Sequence, residues 1–383
     1  MLKNLAFNFL NSCISVNNQR LNFIILKYLV FLFVDRSYFK GRGAQIKTEN
    51  RFLKAHYVTD HIEGLDEPLL ESPSTQIFFE TPKKIVNKVD SPDLSMMYSM
   101  NPYQGCEHGC IYCYAPNTHE YYGFSAGLDF ESKIIVKKNA PALLEKHLLN
   151  KNWNAVPIML SGNTDCYQPQ EKKFEITRKL LNVFSTYRHP VGLITKNSLI
   201  LRDIDLLKDL ASDNLVHVFI SITTLDEGLR RILEPRTASS AKRLKTIEEL
   251  ARAGVPVGVM NAPVIPGLNH HEIPNVLKAA ADHGAMAAGM TVVRLNGSVG
   301  KIFEDWLRKN FPDRFDKVWN QICSFHGGQV NDSQFGRRMT GEGNIADAIH
   351  QLYWVSKKKY FSEKQLPPYD LTLFRKGGNL TLF

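Results

Sequence analysis

The chain has 383 residues, six of them cysteine, with 44% hydrophobic and 22% charged side chains and a formal net charge of +9. Such a length and balance supply a large core and exclude both a disordered polar chain and a small cystine-stapled scaffold. The positive charge suits an anionic partner such as nucleic acid, and suits ordinary solubility equally well.

Leu21–Val34 reads LNFIILKYLVFLFV, fourteen residues interrupted by Asn22 and Lys27. It is too short to span a bilayer comfortably, so no stable membrane association is expected. It is like a signal core, yet Asp35-Arg36-Ser37 follows in place of a small-residue cleavage site. Residues 1–37 are expected to be an extension ahead of the fold, such as a misassigned start would produce. The alternative is an amphipathic anchoring helix. Residues 38–95 carry acidic pairs and prolines without strong periodicity and are expected to be irregular and packed on a core.

Regular alternation begins near residue 96. Short apolar runs at Met96–Met100, Pro157–Leu160, Val191–Ile194, Val216–Ile222, Val257–Asn261 and Ala288–Arg294 predict buried strands. Amphipathic segments fall between them: Phe174–Tyr187, Ala241–Ala253 and Ile273–Asp282. Alternating strands and helices imply a parallel sheet with right-handed crossovers, buried on both faces. Residues 301–360 change to helices and predict a cap, and 361–383 are expected to be a tail. The barrel region is therefore bounded at 96–300.

The densest chemical signal is Asn101-Pro-Tyr-Gln-Gly-Cys-Glu-His-Gly-Cys-Ile-Tyr-Cys-Tyr-Ala115. Half of the cysteines, Cys106, Cys110 and Cys113, fall within eight residues. Thiolates this close converge on one soft metal centre. Three thiolates, where a closed structural site has four ligands, leave a position open for a small ligand. A zinc site completed by His108, His119 or Cys166 is the rival, and would make the chain a non-catalytic zinc-bound nucleic-acid-binding protein. Structural zinc usually pairs two C-x2-C halves, and no second half exists here. Small polar residues also mark two later strand ends. These are Ser161-Gly162-Asn163-Thr164-Asp165-Cys166 after the second strand and Thr195-Lys196-Asn197 after the third.

The cysteine loop resembles the signature of the radical S-adenosylmethionine (SAM) superfamily, and the chain is most similar to its spore photoproduct lyase-like, DNA-repair photolyase-like subgroup. The similar segments are Asn101–Glu120, Ser161–Glu171, Glu234–Arg243 and Val257–Leu268. The resemblance implies an α/β fold, a partial (β/α)6 TIM-like barrel with chemistry at the strand carboxyl ends. It implies a 4Fe–4S cluster on the three cysteines and SAM on the open iron. It implies a lyase-like enzyme that cleaves SAM to a 5′-deoxyadenosyl radical for hydrogen abstraction. The expected partners are an electron donor of flavodoxin or ferredoxin type and DNA or another nucleic acid, in a reducing cytoplasm. Carried onto this sequence, SAM would be bound by Ser161, Gly162, Asn163, Thr164, Asp165, Lys196, Ser221 and Arg236. The usual Gly-Gly-Glu-like loop is here Ser-Gly-Asn-Thr-Asp, a departure, with Thr164 and Asp165 the expected acceptors of the SAM ammonium. Asn261–Gly267 would form a fixed loop near adenine. Cys166, Tyr112 and Tyr114 would return a hydrogen atom by relay.

Overall fold

A computed structural model describes residues 39–53, 74–94 and 96–378. The apolar Leu21–Val34 run, with the rest of the expected extension, lies outside the described residues.

In chain order the strands are β1 (Gln76–Phe79), β2 (Asn87–Lys88), β3 (Tyr98–Met100), β4 (Tyr103–Gln104), β5 (Lys133–Val136), β6 (Ile158–Leu160), β7 (Val191–Thr195), β8 (Val216–Ser221), β9 (Val257–Val264) and β10 (Ala287–Val292). The helices are α1 (Leu128–Ser132), α2 (Ala140–Leu148), α3 (Glu171–Phe174), α4 (Ile176–Thr186), α5 (Ile204–Ser212), α6 (Glu227–Leu233), α7 (Ser240–Arg252), α8 (Ile273–Asp282), α9 (Ser298–Asn310), α10 (Phe315–Phe325) and α11 (Asn344–Phe361). The six expected strands pair in parallel in the order β3-β6-β7-β8-β9-β10, and β2 joins β3 antiparallel. Among the described residues the ends do not pair, so the sheet is an open partial barrel.

Sequence explains the layering. Val191, Leu193, Val216, Val218, Ile220, Val257 and Val259 are buried, as the strands of a parallel sheet covered on both faces must be. Helix α4 buries Ile176, Thr177, Leu180, Leu181 and Phe184 along one stripe against that sheet. Helix α7 starts where the Ser239 hydroxyl accepts the Lys242 amide at 3.3 Å, and α6 where the Asp226 carboxylate accepts from Gly228 and Leu229.

Three features depart from the sequence reading. The cysteine loop does not follow the first barrel strand directly. Between them β4 pairs with β5 in a separate three-stranded sheet, order β1-β5-β4, assembled from pieces too short for a periodic signal. The fifth strand runs on to Val264, so half of the expected Asn261–Gly267 loop is strand. The expected tail is packed rather than loose. The Pro367 carbonyl bonds His217 at 2.8 Å, the Asp370 amide donates to Asn214, and the Arg375 amide donates to Tyr187. These contacts lie at the amino-terminal side of the barrel, away from the chemistry.

Candidate active site

Gly105 and Gly109 hold positive φ, 80° and 65°, and bend the chain so that Cys106, Cys110 and Cys113 line one cavity. Each of the three thiols is unpaired. Burial raises all three above the ordinary thiol range, and neighbouring thiols raise Cys106 and Cys110 further. Phe130 and Ala115 pack directly on Cys106 and Cys113. Val299 and Ile302 of α9 close the cavity from the carboxyl-terminal side. Asn117 fixes that closure. Its side chain donates to the Asn296 carbonyl at 2.8 Å and accepts the Ser298 amide at 3.0 Å.

The other polar groups lining the cavity are already engaged. His108 Nδ1 faces Asp165 at 3.4 Å and its Nε2 lies 3.3 Å from Asn197 Nδ2. The Glu131 carboxylate accepts the Gly43 amide at 3.0 Å and the Ala44 amide at 2.7 Å. Burial pushes that carboxyl up to about 7, against the opposing pull of those two amides and of the Arg42 and Arg236 charges. The remaining donor set is three thiols. This is the chemistry of an iron–sulfur cluster held by three ligands. No three His, Cys, Asp or Glu side chains among the described residues converge as single-ion ligands would. Of the candidates for completing a zinc site, His119 and Cys166 lie off the cavity and His108 is engaged within it. His119 is buried among Tyr122, Phe124 and Phe130.

The Glu131–Gly43–Ala44 contact was not legible in the sequence. A strap at Gly41–Ala44 crosses the cysteine loop so closely that a Cβ on Gly43 would sit 2.0 Å from the Gly109 carbonyl oxygen. The Arg42 guanidinium donates to the Glu131 carbonyl at 2.6 Å, and Arg236 Nε donates to the Gly41 carbonyl at 2.8 Å. The glycine pair at 41 and 43 was the one available clue. The acidic partner, 88 residues on, carried none.

The Ser161–Asp165 loop sits at the carboxyl end of β6, as expected, but it is largely saturated. Ser161 Oγ accepts the Cys166 amide at 2.7 Å, and the Thr164 hydroxyl donates to the Tyr103 carbonyl at 2.6 Å. Asn163 donates its amide to Asn101 and its side chain to Gln104 and Thr118. Asp165 accepts from Tyr167, Thr195 and the Lys196 amide, and pairs with His108. Burial raises this carboxyl, but the His108 charge and those hydrogen bonds outweigh burial and hold it near 2. Thr164 and Asp165 thus tie β6, β7 and the cysteine loop together.

Arg236 donates through Nε to the Gly41 carbonyl at 2.8 Å and pairs with Glu107 at 3.4 Å. Ser221 Oγ donates to the Ala262 carbonyl. The Lys196 ammonium lies 5.8 Å from the Tyr112 ring centre. Its charge also opposes the raised pKa of Cys110 and Cys113. Tyr112 is buried, with its hydroxyl bonded to Glu234 and to Thr223 at 3.1 Å. Glu234 is held in turn by buried Arg243, whose charge keeps the carboxyl near 2 despite burial. Tyr114 is exposed and donates to the Gly162 carbonyl at 2.6 Å. Cys166 is not brought to the cavity. It is fully buried in the main core beside Tyr103 and Glu171, hydrogen-bonded to Ser161 and Thr177. The expected relay would have to cross from this core position to the cavity, whose lining does not include Cys166.

The sequence profile of the radical SAM superfamily matches residues 100–280, which hold the three cysteines and the barrel strands β6, β7, β8 and β9. An uncharacterized protein of Mycobacterium tuberculosis is 32% identical over 234 residues, 60% of this chain and 69% of that protein. The chain belongs to the radical SAM superfamily. The "Radical SAM Nalpha-GlyT isomerase" of Pseudomonas phage M6 is 24% identical over 270 residues, 70% of this chain and 53% of the isomerase. The fold is that of spore photoproduct lyase complexed with dinucleoside spore photoproduct. The match has a TM-score of 0.54 at 14% identity and covers 74% of this chain and 79% of the lyase. The chain is therefore a radical SAM enzyme. Its family implies an iron–sulfur cluster, SAM and a reductant. No helix among the described residues is long and apolar enough to cross a membrane.

Proposed function

We propose that this enzyme holds a 4Fe–4S cluster on Cys106, Cys110 and Cys113 and uses it, with SAM, to start hydrogen abstraction from a thymine-type lesion in DNA. One observation carries the reading: three unpaired thiols share a cavity whose other polar lining groups, His108 and Glu131, are already bonded elsewhere. When bound, cluster and SAM supply a 5′-deoxyadenosyl radical through one-electron cleavage of the sulfonium C–S bond. The chain's own residues do the rest. Phe130, Val299 and Ile302 keep water from the thiol cavity. Lys196 offers an ammonium to the SAM carboxylate, close to Cys110 and Cys113. The Glu234–Arg243 pair locks Tyr112 and leaves it a positioning residue. Of the three expected hydrogen donors, Tyr114 is exposed at the strand carboxyl ends, so it is our candidate to return the hydrogen atom.

The lesion assignment draws on two names. The fold neighbour was solved with a dinucleoside spore photoproduct, and the phage relative is an isomerase of the same superfamily. The net charge of +9 fits a phosphate backbone. The test is anaerobic reconstitution with iron and sulfide, followed by SAM and dithionite. Near four irons per chain and release of 5′-deoxyadenosine are expected. Dinucleoside spore photoproduct should revert to two thymidines, and undamaged dinucleotide should give nothing. Stoichiometric zinc without iron would end the cluster reading. Deoxyadenosine without lesion reversal would confine the failure to the substrate.

A further inference from the structure

A second concavity lies next to His108 of the cysteine loop. It is a groove of about 500 Å3 between the turn at 198–203 and α7, lined by Lys172, Asn197, Arg202, Lys242, Lys245 and Glu249, among others. Its charge is one-sided. Arg202 is neutralised by Glu171 at 2.6 Å and Asp203 at 2.8 Å, and Lys245 faces Glu249 at 3.7 Å. Lys172 and Lys242 are exposed, and among the described residues no carboxylate lies within ion-pair distance of either. The groove also touches the thiol cavity. Asn197 lines the groove, His108 lines the cavity, and their side chains meet at 3.3 Å. A single side-chain pair therefore separates a basic surface from the loop that carries the cysteines. His108 itself sits midway between Cys106 and Cys110.

We propose that this groove is the docking surface for an acidic one-electron carrier protein, which passes its electron to the cluster across the Asn197–His108 wall. The inference rests on the radical reading above and adds where the reductant binds. Three needs meet here. Buried thiols demand that the donor approach within tunnelling range. An unpaired basic rim steers an acidic partner and speeds encounter. The exposed lysines sit on α7 and α3, so a carrier can dock without opening the barrel or displacing α9. The balance is simple. The reduced carrier gives up one electron and is oxidised by one. The cluster accepts that electron, which is then consumed in cleaving the C–S bond of SAM.

The test uses the reconstituted full chain, flavodoxin as the carrier probe, and the triple variant Lys172→Glu, Lys242→Glu and Lys245→Glu. Flavodoxin affinity at low salt should weaken about tenfold or more, and the parent's affinity should fall as salt rises. Cluster reduction by photoreduced flavodoxin, followed by absorbance in stopped flow, should slow by a similar factor. Iron content and dithionite-driven deoxyadenosine formation should be unchanged, because these lysines touch neither the thiol cavity nor the strand ends. The corresponding triple Lys→Gln variant should fall between the two. Unchanged flavodoxin affinity and reduction rate in the charge-reversed protein would overturn the proposal. So would a variant that loses affinity for an oligonucleotide while keeping it for flavodoxin, which would make the groove a phosphate-backbone site. Failure of the parent with dithionite would instead strike the radical reading itself.

Discussion

Two loops at neighbouring strand ends make opposite use of polar atoms. In the cysteine loop the reactive groups, three thiols, are free of disulfides and meet only backbone amides, His108 at Cys106 and Ala115 at Cys113, and the polar side chains beside them are bonded elsewhere. In the Ser161–Asp165 loop almost every polar group is already satisfied by the protein. A thiol is a weak donor that buries cheaply, so a fold can hold three of them ready for a metal, whereas the strongly polar groups of the second loop must be bonded when buried. Saturated groups shape and stiffen; open groups await chemistry. Removing one group from each kind of site tests the distinction.

The largest effect is expected at the thiols. Cys106→Ala should bring reconstituted iron and sulfide to background and abolish deoxyadenosine formation. Its thermal unfolding should stay near that of the metal-free parent, because the lost thiol meets only one backbone amide, that of His108. A variant that keeps a full cluster would erase the contrast between the loops.

Gly43→Ala should come next. The added methyl has nowhere to go, with the Gly109 carbonyl oxygen 2.0 Å from the ideal Cβ position. Either the strap lifts, stripping Glu131 of its amide donors, or the cysteine loop shifts. Overpacking of this kind costs about 1–3 kcal/mol. Lower thermal stability should therefore accompany poorer cluster retention during gel filtration. Loss of stability with full cluster retention would show that the strap merely packs.

Asp165→Asn probes the saturated loop. The carboxylate accepts from His108, Thr195 and two backbone amides, and losing its charge should cost about 1–3 kcal/mol. The pH dependence has a definite sign. A carboxyl held near 2, against an ordinary 3.8, stabilises the fold fully above pH 4 and loses that contribution as pH falls toward 2. The parent should therefore lose about 2 kcal/mol across that window relative to Asp165→Asn, read from urea unfolding at stepped pH. Parallel curves for the two proteins would remove Asp165 from its clamping role.

These outcomes bear on what a sequence can show. The cysteine spacing declared the donor set because a cluster needs several thiols close in the chain. The six strands were legible because burial on two faces demands unbroken apolar runs. Pairings between distant residues were not legible. Nothing near Glu131 announces the Gly43 and Ala44 amides that it caps, and nothing at Cys166 says whether its thiol faces the cavity or the core. The small β1-β5-β4 sheet escaped because strands of two to four residues leave no periodicity. Arg236 was expected at the cofactor, and nothing near it in the chain announced its bond to the Gly41 carbonyl, 195 residues away.

The smallest expected effect carries the finest distinction. Asn163 is the loosest member of the saturated loop. Its side-chain bonds to Gln104 and Thr118 are long, 3.4 and 3.2 Å, whereas its backbone amide is held to Asn101 at 2.8 Å. Asn163→Ala should therefore cost about 1 kcal/mol or less in stability, with iron content unchanged. If the loop only shapes the site, SAM affinity will be unchanged as well, measured by equilibrium dialysis on the reconstituted protein. A severalfold loss of SAM affinity at unchanged stability would place one ligand-ready amide inside an otherwise closed network. That position would then take over the role assigned on sequence grounds to Thr164 and Asp165, whose own atoms are already engaged.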